Sequence, residues 1–161
     1  MDIIVREGRP GDLEAIVAFN RAMAMETEHK TLDPAIVTSG VRRALQDPGK
    51  GRYLLAVATD RVVGQLMFTL EWSDWRDGWL WWIQSVYVDP EWRGRGIFSC
   101  LYRHLEEAAS KADDVRGLRL YVESENERAQ QVYRALGMRP AGYLVLEMIF
   151  GEGDKQNAQG R

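Results

Sequence analysis

The sequence predicts an α/β fold of the α+β kind: a mixed, mostly antiparallel central sheet of about seven strands with helices on both faces. Three observations carry this. The chain has 161 residues, 45% hydrophobic and 28% charged, the balance of one globular domain. Its β-rich runs first come as consecutive hairpins, joined by short polar turns. Later runs alternate with stretches of helical spacing, the order that brings in parallel pairing.

Taken in order, Ile3 to Glu7 alternates weakly and reads as a first strand. Pro10-Gly11-Asp12 opens a helix reaching about Glu26, with Leu13, Ile16 and Val17 near helical spacing. Asp33-Pro34 starts a second helix, a capping residue followed by proline at the first helical position. Ile36, Val37, Val41 and Leu45 form its stripe, and Asp47-Pro48-Gly49 stops it. Tyr53 to Ala58 and Val62 to Trp72 form a hairpin across Thr59-Asp60-Arg61. Asp77-Gly78, a favoured two-residue turn, leads into Trp79 to Val88. A helix from about Gly96 to Ala112, a strand from Leu118 to Val122 and a helix from Asn126 to Leu136 follow. Gly137 stops that helix, and Met138 to Gly142 and Tyr143 to Phe150 close the domain as strands. Residues 1–150 thus form one domain, and the polar tail 151–161 is expected to be disordered.

Composition excludes several function classes. A net charge of −3 and a pI near 5.5 give no general attraction to nucleic acid or to an anionic membrane. No apolar run approaches the roughly 20 residues that span a bilayer. Cys100 stands alone, so no internal disulfide forms. The charged start, Met1 to Glu7, lacks the apolar core of a signal peptide, and the expected location is cytoplasmic.

The stretch that carries chemistry is Val86-Tyr87-Val88-Asp89-Pro90-Glu91-Trp92-Arg93-Gly94-Arg95-Gly96-Ile97-Phe98-Ser99. A strand ends, a basic glycine-rich loop follows, and a helix begins. Amides at a helix N-terminus lack intrahelical partners and, with the helix dipole, favour an anion. Glycines let the backbone come close to that anion, and Arg93 and Arg95 add charge-assisted bonds, so the loop suits a pyrophosphate. The plainer alternative is a glycine turn with two solvated arginines. Neither a dinucleotide fingerprint, which needs glycine at Ser99, nor a Walker loop fits.

Those residues resemble the GNAT superfamily of N-acetyltransferases, whose acetyl-CoA pyrophosphate motif is Gln/Arg-x-x-Gly-x-Gly/Ala. Arg93, Gly94, Arg95, Gly96 and Ile97 match, and Phe98 stands where the family has a small residue. Asn126 to Met138 is similar to the family's Asn-x-x-Ala-x-x-x-Tyr-x-x-x-Gly-Phe pattern, with Met138 in place of Phe. The resemblance spans about residues 3 to 150 and implies acetyl transfer from acetyl-CoA to a primary amine, with no metal. It assigns the cofactor to Val86, Tyr87 and Val88 through backbone groups, to the loop from Arg93 to Ser99, and to Asn126. A backbone amide of that strand would polarise the thioester carbonyl. Tyr133 matches the family's general acid, whose ordinary pKa near 10 lies close to that of an alkyl thiol. Asn126 also suits a helix cap, and Tyr133 also fits the buried stripe of its helix.

The base is less plain. Many relatives carry Glu where this chain has Gln84, whose amide can only orient a water. Glu71 is the substitute candidate, with Glu26 and Glu28 next, although such carboxylates usually lie on solvated surfaces. Trp72, Trp75, Trp79, Trp81 and Trp82 cannot all share one sheet face, so some line a core and others a pocket or a homodimer contact. The acceptor is a small amine, an amino acid or a peptide terminus. The competing function is an acetyl-CoA-binding sensor or scaffold without turnover.

Overall fold

A computed structural model describes residues 2–151. The chain divides into two compact units, broken after Tyr121. The first unit contains β1 (Ile4–Glu7), α1 (Leu13–Glu28), α2 (Pro34–Gln46), β2 (Arg52–Ala58), β3 (Arg61–Ser73), β4 (Gly78–Val88), α3 (Ile97–Lys111) and β5 (Val115–Leu120). The second contains α4 (Glu127–Ala135).

The strands follow sequence order, β1-β2-β3-β4-β5. The first four pair antiparallel, and β4 and β5 pair parallel, as the crossover through α3 requires. Neighbouring residues of β3 show the layering. A Cβ on Gly64 would lie 2.7 Å from Ile97 of α3, so that helix packs onto bare backbone. The next residue, Gln65, donates to Asn20 of α1 at 2.7 Å. Successive side chains of a strand point to opposite faces, so α1 and α3 cover opposite sides. Ile16, Val41, Tyr53 and Leu55 form the core under α1 and α2. Ile97, Leu101 and Leu105 bury the inner face of α3.

Local chemistry sets the ends. Asp33 accepts from the amides of Ala35 at 2.8 Å and Ile36 at 3.3 Å, the cap its sequence implies. Arg6 of β1 makes two bonds to Asp12, at 2.8 and 2.9 Å, and Asp12 also accepts from the Arg9 amide at 2.7 Å. The second hairpin differs from expectation. Ser73 pairs with Gly78, so its loop is Asp74–Asp77, and Asp77 takes the left-handed conformation, φ 49°. The last strand of the first unit also lies earlier than expected, because Val115 to Leu120 is the segment that pairs with β4.

Among the described residues the sheet has five strands, where about seven were expected. Met138 to Gly142 and Tyr143 to Phe150 enter no ladder. Gly137 and Gly142 adopt left-handed φ values of 91° and 81°, which turn the chain at both ends of the first segment. Tyr143, Leu144, Leu146, Met148 and Phe150 are exposed. The run is nearly unbroken in apolar residues, the composition of a strand covered on both faces. Extended propensity alone makes no strand when cross-strand bonds are lacking. The expected disordered tail lies outside the described residues beyond Gly151.

Candidate active site

The site is built around β4. Met67 pairs with Ser85 and Phe68 with Ile83, so Gln84 is an extra residue, a β-bulge. β5 pairs with β4 only from Trp79 to Ile83. Beyond the bulge, the backbone of Val86, Tyr87 and Val88 has β3 on one side and, among the described residues, no strand on the other. An edge of this kind offers amides and carbonyls to an extended ligand. The strand expected to hold the cofactor therefore has one edge unpaired beyond Ile83 among the described residues.

After β4, Asp89 caps a single helical turn, Pro90–Trp92, by accepting from the Glu91 amide at 3.0 Å. Gly94 and Gly96 then take φ values of 75° and 77°. No atom lies within 4 Å of a Cβ placed on either glycine, so the backbone there faces open space. Gly96 is the N-cap of α3 and has no side chain to occupy the first-turn amides. The arrangement is an uncapped helix N-terminus with room for an anion beside it. Arg95 lies over the Trp92 ring at 5.0 Å. Phe98 packs its ring towards Tyr102, 6.0 Å between centroids, one turn along α3. The loop thus joins an open backbone at two glycines to a helix start, with Arg95 beside it.

Arg93 is tied to the other side of the sheet. Its Nε donates to the Val88 carbonyl at 3.0 Å and its Nη2 to Glu26 Oε2 at 2.7 Å. Tyr87 donates its hydroxyl to Glu26 Oε1 at 2.7 Å, and the Arg93 guanidinium lies 5.4 Å from the Tyr87 ring centre. Burial, reinforced by the Glu26 carboxylate, pushes the Tyr87 phenol to about 12. The bonds from Tyr87 and then Arg93 hold Glu26 below the usual carboxylate range. Glu26 is thus an anchor for the loop, and a stabilised anion is a weak proton acceptor. Glu28 instead pairs with Lys30 at 3.0 Å.

A second cluster sits where β3, β4 and β5 run side by side. Glu71 Oε2 accepts from the Trp82 indole and from Arg119 Nη1, the latter at 3.2 Å. Arg119 lies 5.9 Å from the Trp82 ring centre, and the Trp82 and Tyr121 rings are 4.6 Å apart. Gln84, exposed at the bulge, donates to Thr69 Oγ1 at 2.8 Å. Of the tryptophans, Trp81 takes an expected core position, buried and stacked on Phe68 at 4.7 Å. Trp72, edge-on to Trp79 at 5.0 Å, and Trp75 are exposed.

In the second unit, Asn126 accepts from the Ala129 amide at 3.0 Å and caps α4. The helix closes with Met138 N–H donating to the Tyr133 carbonyl at 3.0 Å and Gly137 N–H to Arg134 at 2.9 Å, a Schellman end around the left-handed glycine. Tyr133 is half-buried, and burial raises its phenol above the ordinary value.

Sequence reasoning missed four contacts. The side chains of Tyr87 and Arg93 meet Glu26, 61 and 67 residues away in sequence. Arg119 reaches Glu71 across β4. Gln65, fully buried, bonds Asn20. A lone polar residue inside the apolar run Val62 to Phe68 was the available signal for Gln65.

Comparison with known proteins bears on the family and the fold. The model of the acetyltransferase (GNAT) family matches residues 18–138. The chain is 45% identical to a Clostridium difficile 630 protein whose crystal structure is described as a possible acetyltransferase; the match covers 91% of this chain and 97% of that one, with a TM-score of 0.87. It is 30% identical to the thialysine N-epsilon-acetyltransferase of Bos taurus, over 84% of this chain and 83% of the relative. A ribosomal-protein-alanine N-acetyltransferase from Brucella melitensis shares the fold, at 17% identity and a TM-score of 0.75 over 93% of this chain and all of that one.

Proposed function

We propose, from the premise that this chain belongs to the acetyltransferase (GNAT) family, that it moves the acetyl group of acetyl-CoA to a primary amine by direct attack. The observation that carries the reading is the conjunction of two features of one strand–loop–helix segment. The edge of β4 opens after the Gln84 bulge, and the glycine-capped N-terminus of α3 lies just beyond it. The edge suits an extended amide-bearing arm, and the helix start suits a pyrophosphate. Acetyl-CoA has both, joined in that order. Relatives named for thialysine, a ribosomal-protein alanine and an aminoglycoside all take amines, which supports the acceptor class.

In this reading Arg93 to Ser99 hold the pyrophosphate, and Asn126 adds a contact to the arm or serves as cap alone. The backbone of Val86, Tyr87 and Val88 orients the thioester, and an amide there steadies the carbonyl oxygen as it gains charge. The amine nitrogen attacks the thioester carbon; the C–N bond forms and the C–S bond breaks. The departing sulfur takes a proton from Tyr133. The amine's proton passes to Glu71, directly or through a water held by Gln84. The raised phenol of Tyr133 stays protonated at neutral pH, as an acid must.

Gln84, in place of a carboxylate, favours a second reading, a domain that binds acetyl-CoA without turnover. Calorimetry with acetyl-CoA and a thiol-release assay over primary amines test both readings. Binding with release supports the enzyme, binding without release supports the second reading, and no binding sinks both.

A further inference from the structure

The cluster on β3, β4 and β5 bears on the acceptor. Glu71 on β3 and Arg119 on β5 stand as a pair of opposite charges 3.2 Å apart, reaching each other across β4. The Glu71 side chain is 44% exposed and that of Arg119 24%, so the pair borders water. Beside it stands an aromatic wall, Trp82 against Tyr121, with Tyr121 54% exposed. Trp82 holds Glu71 through its indole and Arg119 over its ring face, which fixes both charges relative to the wall. Gln84 marks the bulge two residues further along the same strand. These charges therefore lie next to the point where β4 opens.

A half-exposed ion pair is worth little by itself, so a ligand that offers each partner a better counter-charge can replace it. The ligand must then bring both signs at short separation. A polyamine or another polycation supplies only one of them and meets the Arg119 guanidinium with a like charge. A carboxylate beside an ammonium supplies both. Guanidinium forks match carboxylates bidentately, which adds geometric selection.

Building on the acetyl-transfer reading, we infer that the acceptor is an amine carrying its own carboxylate, an amino-acid-type zwitterion. Its carboxylate lies on Arg119, its amine faces Glu71, and its apolar stem lies on Trp82 and Tyr121. Arg119 is then a specificity residue for the proposed reaction.

Acetyl-CoA-dependent thiol release is compared for free amino acids, the same amino acids as carboxamides, and linear polyamines. The expected result is that kcat/KM for the acids exceeds that for the amides by about tenfold or more, carried mostly by KM, with polyamines poorer still. Arg119→Gln should erase the acid-over-amide preference, and Arg119→Lys should restore part of it. Acetyl-CoA affinity, read by calorimetry, reports whether each variant is folded. The acid–amide comparison in the parent protein stands even if a variant does not fold. Equal rates for acid and amide, a preference for polyamines, or acetyl-CoA binding with no zwitterion turned over would each overturn the inference while leaving cofactor binding intact. Failure to bind acetyl-CoA would instead remove the reading on which it rests.

Discussion

In the proposed mechanism Tyr133 acts through one oxygen. Tyr133→Phe keeps the ring and its packing but removes the proton. Loss of an acid–base catalyst costs about 10² to 10⁴ in rate, so kcat should fall within that range while acetyl-CoA affinity changes far less. A variant that binds and turns over like the parent would make Tyr133 a packing residue. Glu71→Gln should slow turnover most at low pH, where the acceptor's ammonium form dominates; uniform activity across pH would move the base elsewhere. The two residues differ in legibility. Tyr133 was singled out because it keeps a fixed offset from Asn126 along one helix, and such offsets survive in a sequence. Glu71 was singled out by exclusion, and its partners Trp82 and Arg119 were not. They lie 11 and 48 residues away and are joined by sheet register, which a sequence does not print. Glu26 shows the same limit: it was a reserve base until the bonds from Tyr87 and Arg93 made it a tether.

At the scale of elements, helices were the most legible, since their stops and caps are single residues with local causes. Asp33, Asn126 and Gly137 cap or end their helices as their types imply. The start of α3 joins element to function. Gly96 holds φ 77° and faces open space, so Gly96→Val strains the backbone and fills the anion's approach. Calorimetry should show a loss of CoA affinity of tenfold or more; unchanged affinity would remove the pyrophosphate from this loop. A second element-scale contact ties β1 to the turn before α1. Arg6 first, and the Arg9 amide as well, hold the Asp12 carboxyl below its ordinary range. A lowered folded-state pKa stabilises above the unfolded value, near about 3.9 for Asp, and that stabilisation is lost as pH falls through the folded one. Asp12→Asn should cost about 1.5 to 3 kcal/mol at neutral pH, the range for hydrogen bonds to a charged group. Denaturant melts should show the gap closing below about pH 4, where the parent's carboxyl takes up its proton. A gap constant with pH would mean that shape, not charge, sets the cost.

At the scale of the whole molecule, hairpin order and the β4–α3–β5 crossover gave the sheet its mixed topology, and both were visible as alternating runs and turns. The strand count was not, because Tyr143 to Phe150 has the composition of a strand and no ladder to join. Ligand binding offers a test that is read as thermal stability. A ligand that binds only the folded state at about a hundredfold over its Kd stabilises by about 2.7 kcal/mol. For a chain of 161 residues, at about 2 to 4 °C per kcal/mol, the melting temperature should rise by roughly 5 to 10 °C. CoA and acetyl-CoA should both produce this rise, since both carry the pyrophosphate and the arm that the proposal places at the α3 start and the β4 edge. ATP has phosphates for the helix but no arm for the strand edge, so its shift should be clearly smaller. The comparison separates the two halves of the site. A full shift with ATP would mean that the loop binds phosphates alone and that the opening after Gln84 has no part in recognition. No shift with any of the three at millimolar concentration would remove the cofactor from this segment, and the glycine loop would be a turn with two solvated arginines.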